Sequence, residues 1–153
     1  MYRQKRGEPD YEAFDKDFSD AVGYHRCAER FLAQGERVSL VFNVASCALE
    51  RYLVAICDAF GVMPLNHNYN CLMDEVEQLL PVPPRLCADI RALDGIFGIC
   101  SLDDYHHGVP EEPDMRQVLA LCSEVEAMFD NSAFTAARAA CTSAGNPVPD
   151  SQV

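Results

Sequence analysis

The sequence predicts an all-α protein, an up-and-down bundle of four to five helices with short connections. Apolar residues recur at steps of three and four along most of the chain, which is the period of a helix face. No alternating strand pattern and no internal repeat appears. Gly and Pro fall between the periodic stretches rather than throughout them, as helix punctuation does.

The first helix carries Tyr11, Phe14, Phe18, Ala21, His25, Ala28 and Leu32 on one stripe. Pro9 suits its start, because the first helical position tolerates a missing N–H. Gly35 suits its end. His25 on that stripe reads as a packed histidine with one hydrogen-bond partner. Arg26, Arg30 and Arg37 form the one local cluster of positive charge in the body of the chain and read as a solvated face.

The second helix runs from about Arg37 to Phe60, "RVSLVFNVASCALERYLVAICDAF". It is apolar around most of its circumference, so it is expected at the centre. Its polar stripe is Glu36, Ser39, Asn43, Ser46 and Glu50, and Gly61 stops it. After "MPLNHNYN", Asn70 is expected to cap a short third helix, "CLMDEVEQLL". "PVPP" breaks the chain. The fourth helix is expected from about Pro84 to Cys100, with Leu86, Ile90, Leu93, Phe97 and Cys100 on one face. Gly95 and Gly98 cost it helix propensity but let another backbone come close. The fifth is expected to start near Pro113 and to use Met115, Val118, Leu119, Cys122, Val125 and Phe129. The expected domain layout is a flexible start at 1–8, a bundle at 9–131, and a disordered or weakly helical tail at 132–153.

The totals narrow the function. A length of 153 residues suits one domain. There are 24 acids against 12 bases, a net charge of −12, and such a field repels polyanions. No nucleic-acid partner is therefore expected. No apolar run reaches the roughly 20 residues of a membrane helix, and the start "MYRQKRGEPDYE" is not followed by an apolar stretch of the signal-peptide kind. A cytoplasmic protein without a membrane partner is the expectation. The eight cysteines, at 27, 47, 57, 71, 87, 100, 122 and 141, include no C-x-x-C pair. Most lie in apolar helical patterns, so reduced core thiols are expected rather than zinc or disulfides.

Laid out in this order, the chain resembles the HEPN domains (higher eukaryote and prokaryote nucleotide-binding) over roughly Tyr11 to Asn131. "ASCALERYLVAI" is similar to the family's "AxxAxEKxLKAL" helix, with Glu50 at the glutamate and Arg51 at the lysine beside it. "GVMPLNHNYNCLMDEVEQL" is similar to the family's "G-x-x-P-x-x-H-x-L-x-x-L" link, with His67 at the histidine. "ALDGIFGICSLDDYHHGVPEEPD" is similar to "LDxYYxxTRYPDxxPxxP", with Leu93 and Asp94 at the "LD" and Tyr105 at the loop tyrosine. The resemblance implies a dimer. It also implies a toxin–antitoxin-like setting, with a nucleotidyltransferase-type partner protein. Nuclease members are metal-independent RNases with an Arg-x4–6-His pair. The arginine steadies the phosphate and the histidine handles the proton of the attacking hydroxyl. Here His106 and His107 are present, but Asp104 stands at the arginine position and no Lys or Arg lies between Arg91 and Arg116. A carboxylate there repels a phosphate.

The expectation is thus a non-catalytic HEPN-like binding module, a homodimer formed through the glycine-bearing fourth helix, that works with a partner protein or binds a small nucleotide-like ligand. The alternative is a metal-independent RNase with a divergent site, using His106 or His107 with Arg91 or Arg116. The expected binding residues are Ser39, Asn43, Ser46 and Glu50 on the second helix, with Arg91, Asp94, Asp104, Tyr105 and His106. They are expected to line one polar groove, because a mostly buried helix with a continuous polar stripe needs partners for it. No metal and no cofactor is expected. His106 and His107 with Asp103 and Asp104 have suitable ligand types, but adjacent rings rarely converge on one ion. The loop itself is expected on the groove rim, anchored by Tyr105.

Overall fold

The structure is a computed structural model, and it describes residues 7–96 and 109–143, with side chains as far as residue 140. Its helices are α1 (Tyr11–Ala33), α2 (Val38–Ala59), α3 (Tyr69–Leu79), α4 (Pro84–Ala92), α5 (Glu112–Met128) and α6 (Ser132–Ser143), with one 3-10 turn at Leu93–Gly95. The described residues include no strand, and the protein is all-α.

α1 and α2 form an antiparallel hairpin whose ends follow from local chemistry. Asp10 caps α1, its carboxylate accepting the Ala13 N–H at 2.9 Å. Gly35 adopts φ 74°. There the Gly35 and Glu36 N–H groups reach back to Leu32 and Phe31 carbonyls, the Schellman ending that glycine permits. Gly61, at φ 67°, ends α2 the same way, with Gly61 and Val62 bonding back to Asp58 and Cys57.

α2 is the core of the bundle. Fourteen of its 22 residues are buried, so three neighbours must cover it: α1, α3 and α5. It is also long and apolar enough to cross a membrane, but most of that stretch is buried inside this fold. Phe42, Leu49, Tyr52, Leu53 and Ile56 are at most 1% exposed. At about 25 cal/mol per Å² of apolar area, burying each large side chain contributes roughly 1.5–3 kcal/mol.

The structure moves two expected boundaries and keeps the start of α5 near Pro113. α3 begins at Tyr69, two residues earlier than the expected Cys71, and its cap is Asn68, whose side chain accepts the Cys71 N–H at 2.7 Å. Asn70 is inside the helix. α4 stops at Ala92 and tightens into the 3-10 turn; the expected continuation over Phe97–Cys100 lies outside the described residues. α5 starts at Glu112 with Pro113 in its first turn. Its cap is Glu111, in a capping box with Asp114, whose carboxylate accepts the Glu111 N–H at 2.8 Å.

The segment after Asn131 continues as α6, and Phe134 is 3% exposed. Phe134 joins a run of rings in which Phe18 and Phe129 lie 4.7 Å apart, Phe129 and Phe134 5.2 Å, and Phe60 and Phe134 5.7 Å. The Arg138 guanidinium sits 5.0 Å over Tyr11 and 4.9 Å over Phe14, a cation–π clasp between α6 and α1.

The described cysteines, Cys27, Cys47, Cys57, Cys71, Cys87 and Cys122, are all free thiols. Burial pushes Cys57 up to about 12, which leaves it protonated and inert. Thiol titration of protein purified under nitrogen and denatured without reductant is expected to count all eight cysteines as free. A count of six or fewer refutes this.

Candidate functional site

The polar stripe of α2 runs from solvent into the core. Ser39 and Asn43 are exposed, whereas Ser46 and Glu50 are buried. Glu50 has a specific partner. The connection after Gly61 brings back His67, and its Nδ1 stands 2.8 Å from Glu50 Oε1. An Asx turn shapes that return, with Asn66 Oδ1 accepting the Asn68 N–H at 3.0 Å. A carboxylate 11% exposed next to a ring 40% exposed is a charge-assisted contact at the edge of the core. One turn earlier, Tyr69 donates its hydroxyl to the Ser46 carbonyl at 2.8 Å. Burial holds the Tyr69 phenol well above its ordinary range, so it stays a donor. The Ser46 hydroxyl is buried and no partner reaches it.

Arg91 and Asp94 do not pair along their own helix; each is spent on α3. Asp94 accepts the Tyr69 N–H at 2.9 Å, the Asn70 N–H at 2.8 Å and the Asn70 side-chain amide at 2.7 Å. A carboxylate there meets the orphan donors and the positive end of the α3 dipole. Arg91 donates to the Asn70 carbonyl at 3.0 Å and pairs with Asp74 at 2.8 Å and Glu77 at 3.1 Å. Beside these contacts, Leu80, Pro81, Val82 and Cys87 line a shallow groove of about 530 Å³. Burial and Glu77 push the Cys87 thiol up to about 11.

Of the stripe, Ser39 and Asn43 stay exposed, while Ser46 is linked to Arg91 and Asp94 through Tyr69 and Asn70 in the first turn of α3. Sequence reasoning placed neither in the site. Their signal was the Asn-x-Asn spacing around Tyr69, which fits either asparagine as cap. Asp104, Tyr105, His106 and His107 lie outside the described residues. So do the rim position of the loop and the orientation of its histidines.

A second polar cluster sits where α1, α2 and α5 meet. His25, 1% exposed, has more than the single partner expected. Its Nδ1 lies 3.0 Å from the Tyr52 hydroxyl and 3.1 Å from Glu126, and its Nε2 lies 3.2 Å from Glu29. The Ser123 hydroxyl is 3.5 Å from Nε2, the outer limit of a hydrogen bond. Arg26 spans both acids, at 2.6 Å to Glu126 and 3.2 Å to Glu29. Desolvation lowers His25 below its usual range, although both carboxylates pull the other way. A neutral ring that links three helices is a structural joint. Among the described residues, no three potential ligands are placed to share a metal ion.

The fold and the site define a class, an all-α bundle with a buried central helix whose polar groups are met by α3 and its flanking connections. No family model matches the chain, and no curated protein or solved structure matches it.

Two outcomes follow from this wiring. Asp94→Ala leaves the Asn68 cap in place but takes the acceptor from the Tyr69 and Asn70 N–H groups of α3, and is expected to cost about 1–2 kcal/mol in urea denaturation, by analogy with lost helix caps. Asn43→Ala, at an exposed position, is expected to stay within about 0.5 kcal/mol. Equal effects would show that Asp94 does not hold α3. For His25, the folded protein takes up its proton less readily than the unfolded chain. The stability this residue contributes is present above the unfolded value of about 6.5 and is lost as pH falls through the lower folded value. His25→Gln should therefore flatten the loss of stability below about pH 6.5 relative to the parent. Parallel curves would assign that loss to other groups.

Proposed function

We propose that this chain is a non-catalytic helical binding module of the HEPN type, acting as a homodimer with a partner protein of the nucleotidyltransferase class or with a small nucleotide-like ligand. The carrying observation is the state of its arginines. Arg91 is held by Asp74, Glu77 and the Asn70 carbonyl. Arg116, the next base along the chain, pairs with Glu112 at 2.7 Å. A scissile phosphate needs a positive group free to receive it, and these two are already neutralised by carboxylates. The meeting of Glu50 and His67 supports the family reading, since both occupy motif positions. Association is supported by Met63 and Leu65, 74% and 82% exposed on the connection that carries His67, because clustered exposed apolar residues suit an interface.

A labelled RNA oligonucleotide tests this reading. The purified parent is expected to leave it intact in the presence of a chelator. Cleavage that disappears in His106→Ala or His107→Ala would establish the RNase instead. Asp104→Arg, which places the family's residue in the loop, is expected to raise affinity for the oligonucleotide at low salt by about tenfold, the scale of one new charge-assisted phosphate contact of roughly 1.5 kcal/mol. Equal affinities would mean that the loop does not align with the family site. Sedimentation at micromolar concentration should give a dimer.

A further inference from the structure

The chain just before α1 lies across the end of α2. Gly7 donates its N–H to the Gly61 carbonyl at 2.9 Å, and Asp10 donates to the Asp58 carbonyl at 3.1 Å. The approach is so close that a Cβ on Gly61 would run into the Gly7 and Glu8 carbonyls. Gly61 thus serves twice: it takes the positive φ that ends α2, and it gives room to the crossing backbone.

Beneath this crossing lie carboxyl groups that outnumber their base. Asp17, 13% exposed, pairs with Arg51 at 2.9 Å. Asp58 is half-buried beside them, and its Oδ2 is buried with no donor in reach. Two carboxylates cannot donate to one another; a proton on the pair supplies the missing bond. We infer that residues 7–10 form a proton-gated strap, closed over the end of α2 while Asp58 holds a proton beside Asp17 and released when that proton leaves.

The surrounding charges set the direction. Asp10 belongs to the strap itself, Asp17 to α1 and Arg51 to α2. Glu75 of α3 acts with Asp58 on the neighbouring Cys57. At the start of α1, Arg138 of α6 is engaged with the Tyr11 and Phe14 rings. Burial is the largest cause that raises Asp58, followed by the hydrogen bond to Asp17 and repulsion from Asp17 and Asp10; Arg51 opposes them, and the group stands at about 7. The folded value is above the unfolded one, so the protonated, closed form is favoured at low pH. That advantage is lost as pH rises through about 7. Loss of the proton leaves Asp10, Asp17 and Asp58 around the single Arg51, and the repulsion falls on the strap because it carries Asp10.

Amide hydrogen exchange of the full chain by NMR tests the inference, read as protection factors so that base catalysis of exchange is removed. Protection of the Gly7 and Asp10 amides is expected to fall about tenfold or more between pH 6 and 8.5, the factor that one pH unit beyond the midpoint gives. Asp58→Asn, close in shape and unable to ionise, should hold the strap closed across that range. Gly61→Ala should expose both amides at every pH. The Asp58 side-chain carboxyl ¹³C shift of the parent gives a reading that depends on no variant, and it should titrate near 7. Protection that does not change with pH, a pH response retained in Asp58→Asn, or an Asp58 carboxyl that titrates near 4 would each overturn the strap.

Discussion

The constraint on which the molecule depends is the burial of α2. A helix covered on most sides gains its stability from apolar area, but every polar group it carries into the core must then be met by something else. Four such groups lie along it. Ser46 offers its carbonyl to Tyr69, Glu50 meets His67, Tyr52 meets His25, and Asp58 meets the strap and Asp17. The partners come from α3, the α2–α3 connection, α1 and the segment before α1. The exceptions are the Ser46 hydroxyl and Asp58 Oδ2, which are buried with no partner in reach.

The short helices depend on this arrangement. α3 and α4 are 11 and 9 residues long, below the length at which an isolated helix is stable in water. Side chains join them. Asp94 supplies the carboxylate for the first turn of α3, and Arg91 grips the same turn and the next. Through Tyr69 that turn is also bonded to α2. Hydrogen bonds thus run from Asp94 and Arg91 through the first turn of α3 to the Ser46 carbonyl. Residues read from the sequence as the lining of one groove thus also join α3 to α4 and the turn that follows it.

What was legible in the sequence is what depends on local period and local caps. The central place of α2 follows from its apolar circumference, and Gly35 and Gly61 mark the ends they mark because only the left-handed conformation closes a helix that way. The illegible part depends on pairing across distance. Asn68 and Asn70 are equal candidates to cap α3 until Asp94 arrives from another helix and occupies Asn70. His25 reads as a packed ring, but Glu126, its partner on α5, is 101 residues away. α6 looked like tail because Ala and Ser dominate it; Phe134 and Arg138 are two isolated signals, and their value appears only beside the aromatic rings of α1 and α5.

The acidity of the chain and its architecture are then one subject. With 24 acids and 12 bases, cations are the scarce component. Three of those described are placed where carboxylates converge: Arg26 between Glu29 and Glu126, Arg85 between Asp89 and Glu124, Arg91 between Asp74 and Glu77. Each of these three serves two acids. Exposed pairs of this kind add little stability, about 0–1 kcal/mol each, but they remove the positive charge that a phosphate would seek. The scheme reaches its limit at the end of α2, where Arg51 faces Asp17 and Asp58 under a strap that brings Asp10. There one base is too few, solvent is too far to screen the second carboxylate, and a proton is the cheapest remaining cation. A protein with fewer acids would place a second arginine at that point and would have no reason to respond to pH there.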